Sequence, residues 1–159
     1  MKKLKLITLL YFSLFIIACS TTYQPSGLTG GYEETQLDTN VFRVSFEGNG
    51  FTSSQKTTDF TLRRSAELTQ ESGYSYFVII NQNTDISNST YTTPQYSTTT
   101  GNVDNSGYFS ANTNTSGGQT YNISKPTTSN TIVCYKQKPA GILSYNAAFI
   151  LRSMAAKYP

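Results

Sequence analysis

The chain has 159 residues, 12 Lys and Arg against 9 Asp and Glu, 12 Tyr, two Cys, and neither His nor Trp. That length suits one domain with a modest core. The missing histidine excludes Ser-His and Cys-His catalytic pairs and the preferred zinc ligand, and two cysteines cannot make a thiolate zinc site.

Met1–Lys5 is a short basic run, and Leu6–Ala18 is almost entirely apolar and uncharged. A helix of that length reaches about 20 Å, short of the roughly 30 Å of hydrocarbon in a bilayer, so the pattern predicts a signal peptide at 1–18. It closes on Ile16-Ile17-Ala18-Cys19, a lipobox: an aliphatic residue, a tolerant position, a small residue and a cysteine. Cleavage is expected between Ala18 and Cys19. The Cys19 thiol is the nucleophile that takes a diacylglyceryl group, and its freed amine can be N-acylated, palmitate being the usual chain. Two or more acyl chains anchor stably where one does not, so the membrane is the first expected partner. Ser20, where a retention signal would have aspartate, directs such a lipoprotein to the outer membrane by analogy with enterobacterial sorting. Loss of Lys2, Lys3 and Lys5 with the signal leaves nine positive and nine negative charges. No basic patch points to nucleic acid.

Residues 19–31, rich in Ser, Thr, Gly and Pro, read as a lipidated tether, and 32–159 as a single α+β domain. Val41–Glu47 alternates, with Phe42, Val44 and Phe46 on one side, and predicts a half-buried strand ending at Gly48-Asn49-Gly50. A helix is expected over 54–72, capped by Ser53 or Ser54 and stopped at Gly73, with Leu62, Ser65, Ala66, Leu68 and Thr69 on its packed face. Asp59, Arg63, Arg64 and Glu67 fall on the rest of its circumference. Tyr74–Ile80 is apolar on both faces, as a central strand is, and strand-helix-strand predicts a parallel pair.

From about 82 to 129 the composition turns to Thr, Ser, Asn, Gly and Tyr, which cannot bury a core of its own. This insert reads either as a long polar hairpin extending the neighbouring strands or as a floppy loop, and partly ordered β arms with a mobile tip are the expected form. Thr131–Lys136 resumes strand character around Cys134, read as a buried small hydrophobe. Asn146 caps a final amphipathic helix that packs through Ala147, Ile150, Leu151, Met154 and Tyr158. The expected fold is therefore α+β: a small mixed sheet, β-α-β-long polar hairpin-β-α, with two helices on one face.

The words "YQP", "GYEE", "FRVSFEGNGFT", "RSAELTQESGYSYFVI" and "YNAAFILRSMAAKYP" together resemble a family of small proteobacterial outer-membrane lipoproteins of unassigned activity. The resemblance covers residues 23–80 and 131–159. It implies a lipid-anchored envelope protein and carries over Cys19 alone.

No catalytic, cofactor-binding or metal residue is assigned. Glu33, Glu34, Glu47, Asp59 and Glu67 are the candidates for paired-carboxylate chemistry, and a solvated surface accounts for them. Tyr91, Tyr96, Tyr108 and Tyr121 in the insert are the candidate contact residues, since tyrosine is enriched in interfaces. The expectation is a non-enzymatic interaction or structural module facing the periplasm, with an envelope protein as partner. The alternative is a peptidoglycan or glycan binder using the same tyrosines.

Overall fold

The computed structural model describes residues 20–159, so the signal segment, Ala18 and Cys19 lie outside the described residues. The strands are β1 (Gly31–Asp38), β2 (Val41–Glu47), β3 (Tyr76–Thr92), β4 (Tyr96–Val103), β5 (Phe109–Ser116), β6 (Thr120–Tyr135) and β7 (Tyr145–Asn146). The helices are α1 (Ser54–Glu71) and α2 (Ala147–Lys157). The chain forms two compact units, one made of the residues up to Ser87 with Ser124–Pro159, the other of Asn88–Ile123.

In the first unit five strands lie in the order β1-β2-β6-β3-β7. β1 with β2, β2 with β6 and β3 with β7 are antiparallel. The expected α+β class, with two helices on a sheet, is what forms. The parallel pair expected of β2 and β3 does not: β6 is hydrogen-bonded between them. The return strand takes the central place that a simple crossover would have closed.

Alternation decides the buried face. Phe42, Val44 and Phe46 of β2 lie opposite Ile132, Asn130 and Thr128 of β6, and all six are buried. Their odd-numbered neighbours face away from the core, because successive side chains of a strand point to opposite sides. Phe77 of β3, Ala66 of α1, and Ala147, Ile150 and Met154 of α2 complete this core.

α1 starts where Ser53 accepts the Lys56 N–H, and Gly73 follows its end at φ +80°, a conformation that costs glycine little. Its buried stripe is mostly hydroxyl. Thr57, Thr61, Ser65 and Thr69 recur every fourth residue, all fully buried. Thr61, Ser65 and Thr69 donate to the carbonyls of Thr57, Ser65's predecessor Thr61, and Ser65 at 2.7, 2.8 and 2.6 Å. A hydroxyl satisfied one turn back costs little to bury and leaves a thin helix face that sits close to the sheet. Leu62 and Leu68, expected on that face, are only partly buried. α2 starts where Asn146 accepts the Phe149 N–H at 2.9 Å, and its packed residues are those expected.

In the second unit β4 and β5 pair antiparallel from Tyr96↔Ser116 to Val103↔Phe109. The turn is built by Asp104: its carbonyl accepts the Gly107 N–H, and its carboxylate accepts from the N–H groups of Ser106 and Tyr108. Gly107 sits at φ +82°, giving the type I turn plus glycine bulge that matches strand twist. Gly101 has no side chain because the Phe109 ring lies over it; a Cβ there would stand 2.6 Å from that ring.

Candidate functional site

The candidate features lie in two places: the segment that follows Cys19, and the hairpin.

The segment expected as a tether is docked on the domain from Thr21 onward. Thr21 is 1% exposed. Its N–H donates to Thr52 Oγ1 at 2.9 Å, its hydroxyl donates to the Thr29 carbonyl at 2.8 Å, and Asn49 N–H donates to that hydroxyl at 2.8 Å. One residue thus joins the 27–30 turn to the loop before α1. Tyr23 is the second fixing point. Its ring lies 5.0 Å from Tyr32 and 5.3 Å from Phe60, with the Arg63 guanidinium 4.0 Å above it. Its hydroxyl donates to Glu67. Burial, then that bond to a carboxylate, pushes the Tyr23 phenol far above its ordinary value. Gly31 lets Gln24 and Pro25 approach: a Cβ would stand 2.5 Å from either carbonyl oxygen. The "YQP" and "GYEE" words therefore lie against each other in space.

Beside Tyr23 is a cavity of about 320 Å³ lined by Thr22, Tyr23, Lys56, Phe60, Arg63, Lys157, Tyr158 and Pro159. Its cations are engaged. Arg63 pairs with Glu67 at 3.0 Å and Lys157 with Asp59 at 2.6 Å. Lys56 donates to Ser20 Oγ and stands 5.3 Å over the Phe60 ring. Asp59, read from the sequence as solvated, is buried: it also accepts from the Tyr158 hydroxyl at 2.6 Å and from Gln55 at 3.0 Å. Burial pushes its carboxyl up, but the bonds from Lys157, Tyr158 and Gln55 outweigh burial and hold it below the usual range. Its signal was invisible locally because two of its partners lie 98 and 99 residues on.

Glu34 and Glu67 are likewise committed, while Glu33 and Glu47 are exposed on their strands. Glu34 and Glu71 bind Arg64 at 2.9 Å each, and Glu67 binds it at 3.3 Å. Such a network holds β1 on α1 and leaves these carboxylates paired to cations rather than to one another. Among the described residues no group of His, Cys, Asp or Glu could hold a metal ion, and no helix is long and apolar enough to cross a membrane. Cys134 is 1% exposed; burial pushes its thiol up, against a weaker opposite pull from the Thr69 hydroxyl.

The four candidate tyrosines are all exposed on the hairpin. The Thr92 and Thr120 hydroxyls meet at 2.9 Å across the ribbon, which puts Tyr91 opposite Tyr121. Tyr96 begins β4 opposite Ser116, and Tyr108 leaves the turn. The structure thus brings two of the four into register and spaces the others along the ribbon. Beside them Val103 and Phe109 form an exposed apolar pair at the last rung, 66% and 62% exposed. Neither had been singled out in the sequence, although the Val-x5-Phe spacing around Asp-Asn-Ser-Gly is a hairpin signature. β4 and β5 carry no charged side chain, and the two-stranded sheet they form has no further strand on either side among the described residues. Open strand edges of this kind accept an added strand.

No family model, no curated protein and no solved structure matches this chain.

Proposed function

We propose that the chain is a lipid-anchored lipoprotein of the bacterial envelope, held at the outer membrane through acylated Cys19. Its domain faces the periplasm and works without catalysis, as a contact module for another envelope protein. The lipobox at residues 16–19, behind an apolar run too short to span, is the observation that carries the anchoring. Its test is metabolic labelling with palmitate. Label should enter the wild-type chain and be absent from Cys19→Ser, which should also leave the membrane fraction. A labelled Cys19→Ser chain refutes the anchor.

The hairpin is the contact element in this reading. Support comes from its uncharged strands, its open edges and the exposed Val103, Phe109, Tyr96 and Tyr108. Replacing residues 94–118 with Asn-Gly closes the ribbon where Thr93 N–H donates to the Gln119 carbonyl at 2.9 Å. That variant should keep the urea-unfolding midpoint of the packed unit and lose in-cell photocrosslinks to its partner; unchanged crosslinks refute the role. Glycan binding is the second reading, favoured by the paired Tyr91 and Tyr121 faces, 54% and 50% exposed, on which a sugar ring can stack. Co-sedimentation with purified sacculi that is lost in Tyr91→Ala with Tyr121→Ala would establish it.

A further inference from the structure

We infer that the two loops bolted together by Thr21 form a bilayer-seating surface, with Leu28 and Phe51 entering the boundary between lipid headgroups and acyl chains. The inference rests on the lipid anchor proposed above and concerns what the domain does once it is anchored.

Three observations converge on it. Cys19 is joined directly to Ser20, and the chain is buried again by Thr21. Two residues reach at most about 7 Å, so the surface around Thr21 cannot stand far from the lipid that Cys19 carries. A free tether would have permitted any orientation; this one does not.

Next, the residues that Thr21 bonds are the neighbours of the exposed apolar tips. Thr29, whose carbonyl accepts from Thr21, follows Leu28. Thr52, whose hydroxyl accepts the Thr21 N–H, follows Phe51, and the Phe51 N–H itself donates to Asn49 Oδ1 at 3.0 Å. Leu28 occupies a tight turn closed by reciprocal Gly27 and Gly30 backbone bonds at 3.2 and 3.1 Å, and is fully exposed. Phe51 is 74% exposed. Single exposed apolar side chains are ordinary. Two of them held on rigid loops, with the buried residue nearest the anchor between them, make a directed surface.

Finally, the nearest cation suits that depth. Lys56 donates to Ser20 Oγ, one residue from Cys19, and its ammonium stands 5.3 Å over the Phe60 ring, which puts that cation at the level of the lipid phosphates.

The absence of tryptophan from the chain gives a clean test. Leu28→Trp, Phe51→Trp and Leu143→Trp each introduce a single reporter at an exposed position. Leu143 precedes β7, the strand farthest in the sheet from β1. The full lipidated chain is placed in vesicles of phosphatidylethanolamine and phosphatidylglycerol with brominated acyl chains. Trp at 28 and at 51 should shift to the blue and be quenched about twofold or more, with Trp at 143 unaffected. Vesicle-bound protein unquenched at 28 and 51 overturns the seating surface and leaves the anchor standing. Equal quenching at all three positions overturns it too, since no face is then selected. A chain that does not stay with vesicles and carries no acyl mass on Cys19 overturns the anchor and the seating together.

Discussion

The packed unit and the hairpin are both rich in threonine, and they use it in opposite ways. In α1 the hydroxyls of Thr57, Thr61 and Thr69 are buried, turned onto their own helix and onto β6: Thr57 meets Thr128 at 2.9 Å, and Thr69 meets the Cys134 sulfur at 3.4 Å. In the hairpin the hydroxyls meet across strands in open solvent, Ser97 with Thr115 at 3.0 Å and Thr99 with Thr113 at 2.9 Å. A buried hydroxyl must be satisfied or it costs stability; an exposed one has water as an equal alternative. The same residue is therefore structural in one unit and nearly neutral in the other. Stability resides in the first, which leaves the second free to vary its surface.

Aromatic truncation breaks that contrast most sharply. Phe46 is fully buried, 5.0 Å from the Phe60 ring. Phe46→Ala should cost about 3–5 kcal/mol, through lost transfer energy and the cavity left behind. Phe109→Ala, which only uncovers Gly101 in solvent, should cost under about 1 kcal/mol. Urea unfolding read at a probe in the packed unit checks both, and comparable losses would mean that the hairpin is as much a part of the core as β2.

The next effect has the opposite sign. Asn130 is fully buried on β6 opposite Val44, and neither its amide nitrogen nor its oxygen has a partner. Leaving such a group unpaired costs about 1–3 kcal/mol, so Asn130→Val, close in size and a better strand former, should raise the free energy of unfolding by roughly 1–2 kcal/mol. A fall would show that the amide holds something that valine cannot replace.

Threonine to valine at matched sites then tests the comparison directly. Thr61 donates to the Thr57 carbonyl, and the Thr128 carbonyl lies 3.2 Å away as a second acceptor. Thr61→Val should cost about 1 kcal/mol, and Thr99→Val should stay within about 0.5 kcal/mol of wild type. Equal effects would erase the distinction between the two units.

What the sequence displayed and what it hid follow the same physics. Alternation at Phe42, Val44 and Phe46 is legible because burial on one strand face leaves a period of two. The caps at Ser53 and Asn146 and the stop at Gly73 are local chemistry and were legible too. β1 was not: in GYEETQLD all but the first two residues are exposed, so no apolar period exists, and its edge is guarded by Glu33 and Glu34 instead. The docking of residues 20–31 was hidden because it is made by a small hydroxyl, two glycines and tyrosine stacking, none of which reads as a hydrophobic signal. The place of β6 between β2 and β3 depends on pairing across some ninety residues, Val41 with Val133, which no local pattern encodes. Of the candidate contact residues, the four tyrosines were legible as exposed, but the rung at Val103 and Phe109 needed the register.

The smallest effect is electrostatic, and its direction is fixed by Asp59. Burial favours the neutral acid, but donors from Lys157, Tyr158 and Gln55 favour the carboxylate and prevail, so the folded value lies below the unfolded one. A group depressed on folding adds stability above its unfolded value, about 3.9, and loses it as pH falls from there through the folded value. Stability should therefore be flat with respect to this group near neutrality and decline below about pH 4. Asp59→Asn removes that part of the acid slope and lowers stability at pH 7, because Lys157 and Tyr158 lose their charged acceptor. Lys157 is half exposed, so salt should weaken the ion-pair share and spare the bond from Tyr158. Unfolding followed from pH 3 to 7 in wild type and Asp59→Asn decides the matter: parallel curves would show that the bonds around Asp59 cancel the cost of its burial and contribute nothing to the acid slope.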